Sequence, residues 1–253
     1  MTGHAVDFVG AIRRRLNRRR AKSFAVAKRL VAGKRGLEIG GPSDVFARRS
    51  IMPLYPIAQA VDNCNFARET IWEGAIQEGL TFWYDRRRLP GHQYILEATD
   101  LHAIPDGHYD FVMSSHTLEH VANPLRALRE WTRVVTKGGA LVLVVPEKDG
   151  TFDHRRPVTT IEHLIDDFDR HTGEDDLTHL GEILALHDLS RDPPAGDREM
   201  FTARSERNRV NRCLHHHVFD RELVKRVLDW LDVEIAAIER VPPYHIVAVA
   251  TTR

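Results

Sequence analysis

Short apolar runs alternate with helical stretches along most of the chain. Strand-like runs fall at 36–40, 58–62, 94–97, 109–114 and 140–146. Each is bounded by Gly, Pro, Asp or Ser, as expected of strands buried on both faces. The clearest helix is expected at 124–137, with Pro124 at its start and Gly138-Gly139 at its end. Its apolar positions Leu125, Leu128, Trp131, Val134 and Val135 recur at helical spacing. After Pro146 the rhythm breaks. Residues 150–217 are polar and rich in histidine, with helical stretches at 159–170 and 177–187. A helix at 221–231 and strands at 233–238 and 245–250 then resume the pattern, with a tight turn at Val241-Pro242-Pro243-Tyr244.

This alternation predicts a doubly wound, Rossmann-like α/β fold, which binds ligands outside the carboxyl ends of its strands. Four regions are expected: a basic helical arm at 1–35, a core at 36–149, an inserted lid or acceptor region at 150–217, and closing elements at 218–253. A chain of 253 residues with 42% hydrophobic content suits one such domain with an appended subdomain. No apolar run approaches the roughly 18 residues of a membrane span. The basic start is not followed by the apolar stretch of a secretory signal, so a cytoplasmic location is expected. Cys64 and Cys213 occur singly, which suggests neither a thiolate zinc site nor a disulfide framework.

The net charge is zero, but residues 1–35 hold eleven Lys/Arg against the single acid Asp7, leaving the rest ten charges negative. The arm could bind phosphates, nucleic acid or an anionic surface. A solvated helix packing Ile12, Leu16, Phe24 and Leu30 onto the domain is the favoured reading, and a nucleic-acid partner is disfavoured.

Chemistry is sought at the strand tips. In GLEIGGPS, Gly40 and Gly41 let the backbone turn sharply and approach a ligand. Amides near Ser43 can meet a carboxylate, and Glu38 can orient the loop or meet an ammonium group. Asp62, ending AVD, can accept hydrogen bonds from ribose hydroxyls. In ATDL, Asp100 can meet an adenine amine while Leu101 packs on the ring. SSHTLEH brings Ser115, His116 and His120 to the fourth tip. A dinucleotide dehydrogenase would want G-x-G-x-x-G after the first strand, and G-G-P-S does not supply it.

The order GLEIGG, VD, ATDL, YDFVMSSHTLEHV, WTRVVTKGGALVLVVP resembles the class I S-adenosylmethionine (SAM)-dependent methyltransferases over residues 36–146. The resemblance implies a seven-stranded, mostly parallel sheet with an antiparallel last strand at 245–250. It implies SAM as cofactor, S-adenosylhomocysteine as product, and cofactor contacts from the residues just named. The departure is in the first loop, where Pro42-Ser43 replaces the usual third glycine. TFDHRRPVTTIEHLIDDF and CLHHHVFD are similar to segments of sugar O-methyltransferases of actinobacterial polysaccharide pathways. That similarity implies a small-molecule or oligosaccharide acceptor.

A sugar hydroxyl is a poor nucleophile and needs a base or a metal. His154 is the first-choice base, with Asp153 and His120 as alternatives. Arg155, Arg156, Glu147, His163, His187, His215 and His217 are expected to contact the acceptor. His215 and His217 share one face of an extended strand. With Asp153, Glu147 or Asp188 they could hold a divalent ion such as magnesium, although no spacing matches a zinc signature, so no metal ligand is assigned. The sequence leaves open a homo-oligomer, an RNA or natural-product acceptor, and a SAM-binding protein without catalysis.

Overall fold

A computed structural model describes residues 20–253; the arm up to residue 19, with Ile12 and Leu16, lies outside the described residues. The chain enters the fold through α1 (Phe24–Val31), which buries Phe24, Ala27 and Val31 along one stripe. The strands are β1 (Arg35–Ile39), β2 (Ala60–Asn65), β3 (Glu69–Thr70), β4 (Gly74–Ala75), β5 (Gly79–Phe82), β6 (Gly91–Ile95), β7 (Tyr109–Ser115), β8 (Val135–Pro146), β9 (Glu234–Val241) and β10 (His245–Thr251). The main sheet has the order β5-β6-β2-β1-β7-β8-β10-β9. Strands β6, β2, β1, β7 and β8 run parallel. Strand β10 pairs antiparallel with β8 and with β9.

The mostly parallel Rossmann-like sheet with its antiparallel last strand is present, with one correction: it has eight strands. The extra strand, β5, runs antiparallel to β6 at the sheet edge. Together with the small hairpin β3–β4 it fills the connection between β2 and β6. Strand β5 is only four residues long, Gly-Leu-Thr-Phe, and buries Phe82 alone, so it presents no sustained apolar run in sequence.

The helices are α2 (Pro124–Arg133), α3 (Ile161–Asp169), α4 (Leu180–Leu186), α5 (Arg198–Glu206), α6 (Asn208–Asn211) and α7 (Arg221–Trp230). Helix α2 starts at Pro124, with the Asn123 side chain accepting from the Arg126 amide. It ends at Arg133, because Val135 already pairs with Tyr109; Gly138-Gly139 therefore lies inside β8 rather than closing the helix.

One face of the sheet packs Leu125, Leu128 and Trp131 of α2 and Leu223, Val227 and Leu228 of α7 against Leu37, Val112, Leu143 and Ile246. The other face packs α1 and the 46–58 segment against Val61, Phe111, Val142 and Val247. Within the insertion, Ile161 and Leu164 of α3 belong to the main core. The stretch from α4 onward holds a small core of its own, Ile183, Ala195, Phe201 and Leu214. No described helix is long and apolar enough to cross a membrane.

Candidate active site

The first loop is built around Glu38. Its buried carboxylate accepts from the Tyr55 hydroxyl at 2.7 Å and the Ser43 amide at 3.1 Å. Burial pushes this carboxyl up to about 8, against the pull of those two hydrogen bonds. Gly41 has no room for a side chain, since a Cβ there would stand 2.2 Å from the Glu38 carboxyl carbon. Gly40 adopts φ +78°, and its Cβ would meet Thr117 Oγ1 at 2.3 Å. The Gly41 amide donates to Asn63 Oδ1 at 3.0 Å and the Gly40 amide to the Cys64 carbonyl at 2.9 Å. The loop amides of Gly40, Gly41 and Ser43 are thus committed within the protein.

Strand β2 runs three residues past the expected tip. Its polar side chains are buried and each finds partners, as burial requires. Asp62 accepts from Arg35 at 2.9 Å, the Tyr109 hydroxyl at 2.8 Å and the His92 amide at 2.7 Å. Asn63 also donates to Gln93 Oε1 at 2.9 Å, and Asn65 donates to the Gly41 carbonyl at 3.1 Å. Asp62 is thus engaged within the sheet by three donors, and Asn65 stands at the strand's tip.

A cavity of about 1510 Å³ opens at the carboxyl ends of the strands. Of the expected cofactor residues, Gly40, Ser43, Ser115 and His116 line it. Glu38 and Gly41 lie behind the loop, and Asp62, Asp100 and Leu101 do not reach the cavity. Asp100 is exposed and pairs with His102, while Leu101 is in the core. Asn65, Glu97 and Ala98 take the corresponding places on the wall. Trp72, Phe152 and Tyr244 add aromatic surface.

Among the expected catalytic and acceptor residues, the cavity takes His120 and His215. His154 turns away to Asp188 at 2.9 Å, as does Arg155 at 3.1 Å. Glu147 is held by Arg240 at 2.7 Å. His187 lies between Phe152 and Phe201 and meets Asp192. Arg156 is fully buried, and its guanidinium joins Asp153, Glu182 and the carbonyls of His215 and His216. It seats the 215–217 segment beside Asp153. There, Asp153 Oδ2 meets His215 Nδ1 at 2.5 Å. Burial pushes the Asp153 carboxyl up, but His215 and Arg156 outweigh it and hold the group at about 2.

The third member of this wall is Glu119, which the sequence reading passes over between His116 and His120. It is completely buried, and neither carboxylate oxygen has a hydrogen-bond partner. Burial pushes it up, but His116, His120 and His215 outweigh this and leave it below the usual range. Burial and the neighbouring His215 push His120 down to about 4. One ligand atom from each of Glu119, His120 and His215 lies within 4.8 Å of the other two. A second group with metal-compatible spacing, His163, Asp167, His179 and His217, lies off the cavity. There, His163 and His179 nitrogens are 3.0 Å apart, and His217 Nε2 donates to the Ala122 carbonyl at 3.1 Å.

Residues 78–143 match the family described as methyltransferase domain. The structure is similar to an S-adenosylmethionine-dependent methyltransferase from Mesorhizobium loti. Its TM-score is 0.52 at 14% identity, over 90% of this chain and 95% of that one. It is also similar to a SAM-dependent methyltransferase from Aquifex aeolicus, with TM-score 0.48 at 14% identity, over 95% of this chain and 93% of that one. The matched segment is similar to a methyltransferase domain, and the fold is the one found in the Mesorhizobium loti enzyme, whose cofactor is S-adenosylmethionine.

Over 62 residues the chain is 40% identical to an uncharacterized 37.1 kDa protein in transposon TN4556 of Streptomyces fradiae. The alignment spans 23% of this chain and 18% of that protein. The described residues fit the cofactor on two observations. Gly40 leaves a cradle that a Cβ would fill, and Ser115 brings to the cavity a buried hydroxyl without a partner.

Proposed function

We propose that the protein methylates a hydroxyl group of a small polar acceptor of the sugar class, with activation at the wall formed by Glu119, His120 and His215. The observation that carries this reading is the Asp153–His215 pair. A buried carboxylate fixes the tautomer of an imidazole that faces the cavity. Carbon, nitrogen and thiolate acceptors need little more than alignment, whereas a hydroxyl needs its proton removed as the new bond forms.

The cofactor supplies an activated methyl group, so the acceptor gains an O–CH₃ bond as S–CH₃ breaks and the thioether S-adenosylhomocysteine leaves. The chain's own residues do the rest. Asn65 and Glu97 hold the nucleoside end, and Trp72, Phe152 and Tyr244 exclude water. The hydroxyl proton departs at the histidine wall.

The sign of the cavity favours a neutral acceptor over RNA. Asp44, Glu73, Glu97, Glu119, Glu174 and Asp192 line it against Arg191 and Arg212, which opposes phosphate binding. The test is labelled methyl transfer from SAM to a panel of glycosides, oligosaccharides and tRNA. Transfer to a hydroxyl of the first two, with rates insensitive to salt, is expected. Transfer to tRNA alone, or to an amine or thiol alone, would overturn the reading.

A further inference from the structure

We infer that Glu119, His120 and His215 form a site for one divalent cation on the wall of the cavity. Three independent features meet there. Glu119 is 0% exposed, and neither carboxylate oxygen has a hydrogen-bond partner among the described residues; His116 Nδ1 stands 3.5 Å from Oε1. A buried carboxylate left in this state is costly unless a cation meets it. Each histidine already has its Nδ1 committed to an oxygen, His120 to the Leu214 carbonyl at 3.0 Å and His215 to Asp153. This leaves Nε2 of both rings without a described partner.

A ring fixed by an oxygen at one nitrogen and open at the other is the arrangement in which imidazole binds metal ions. The three residues also converge, with one ligand atom of each within 4.8 Å of the others, and all three line the cavity. Two imidazoles and one carboxylate suit a borderline divalent ion such as Mn²⁺, Zn²⁺ or Co²⁺, with coordination positions left for other ligands.

What the cation does rests on the reading of this wall as the place of hydroxyl activation; that it binds does not. Bound there, the ion would lower the pKa of an acceptor oxygen at an open position, and the proton would leave from this same wall to solvent as the oxygen–carbon bond forms and the carbon–sulfur bond breaks.

The experiment is titration of the chelator-treated full chain with Co²⁺, followed by its visible absorption, and with Mn²⁺, followed by loss of the free-ion EPR signal. Wild type is expected to take up ion that Glu119→Gln does not. Asp153→Asn, which keeps the three ligands but disturbs the tautomer of His215, is expected to weaken uptake about 10- to 100-fold. Circular dichroism and SAM calorimetry confirm that both variants are folded. Uptake identical in wild type and both variants belongs to the second histidine cluster and overturns the proposal, as does no uptake by wild type. Methyl transfer to hydroxyls that survives both chelation and Glu119→Gln keeps the acceptor reading and removes the ion. Ion uptake lost in Glu119→Gln, with no methyl transfer to any hydroxyl, keeps the ion and removes the acceptor reading.

Discussion

Asp153 and His215 are separated by 62 positions in the chain and by 2.5 Å in the structure. The contact exists because Arg156, three residues after the aspartate, binds the His215 carbonyl at 2.8 Å as well as the Asp153 carboxylate at 3.0 Å. A single buried guanidinium thus brings the carboxylate and the imidazole together. His215→Ala is expected to lower turnover by about two to four orders of magnitude, the span for losing a group that helps remove the hydroxyl proton, as base or as ligand of the ion. SAM affinity by calorimetry should change little, because the proposed nucleoside contacts, Asn65 and Glu97, lie at other strand tips. His154→Ala should retain most of its turnover, since its imidazole is committed to Asp188. Steady-state kinetics on both variants checks the assignment, and a larger loss in the His154 variant would reverse it.

The acid that supports the sheet and the proposed cofactor contact separate in a second pair of measurements. Asp62→Ala removes the partner of Arg35 and leaves the buried Tyr109 hydroxyl without its best acceptor. It should cost about 2–4 kcal/mol of stability in urea unfolding. Glu97→Ala should instead weaken SAM binding about tenfold or more, the scale of one lost hydrogen bond to a charged group. Asp100→Ala should leave SAM affinity unchanged. Weaker SAM binding in Asp100→Ala than in Glu97→Ala would return the adenosine contact to the loop after β6.

Glu38 gives a pH signature. The unfolded chain releases this proton near the reference value of 4.5, whereas burial holds it in the folded state to about 8. Between those values the folded state binds more protons than the unfolded one, so stability falls as pH rises. The contribution is fully present below about 4.5, is lost through that window, and amounts to a few kcal/mol. Glu38→Gln removes the titration. Urea unfolding of the two proteins at several pH values should show the wild type losing ground to the glutamine variant from acid to alkaline pH. Parallel curves would refute this.

Gly41→Ala tests the tightness of the first loop. The added methyl would lie 2.2 Å from the Glu38 carboxyl carbon, inside a group fixed by Tyr55 and Ser43. The loop must shift, and about 1–3 kcal/mol of stability should be lost, as for other overpacked sites. Thermal unfolding and SAM calorimetry together should show both properties reduced; a variant with wild-type stability would show that the loop is slack.

The parallel sheet was legible because strands buried on both faces are nearly continuous apolar runs, as in Leu141–Val142–Leu143–Val144–Val145 of β8. The tip of β2 was not, because Asp62, Asn63 and Asn65 look like a turn in sequence. Their burial depends on Gly41, Gln93 and Tyr109, partners that only the folded sheet supplies. Asp153 and His154, adjacent in the chain, diverge as an extended loop requires, but which of the two reaches the cavity wall depends on Asp188 and His215, distant partners that sequence does not pair. His120 and His215 were visible as candidates. Glu119 was hidden in a run whose histidines drew the attention, and its distinguishing feature, a buried carboxylate without donors, is a property of packing.

The histidine wall has one half rooted in the sheet, at His120 just beyond β7, and the other suspended from the insertion through Arg156. The part that packs by itself is the stretch from α4 to Leu214, with its own small core of Ile183, Ala195, Phe201 and Leu214, whereas α3 is tied into the sheet through Ile161 and Leu164. Change in the outer stretch can therefore reshape the acceptor side while the strand tips stay in place.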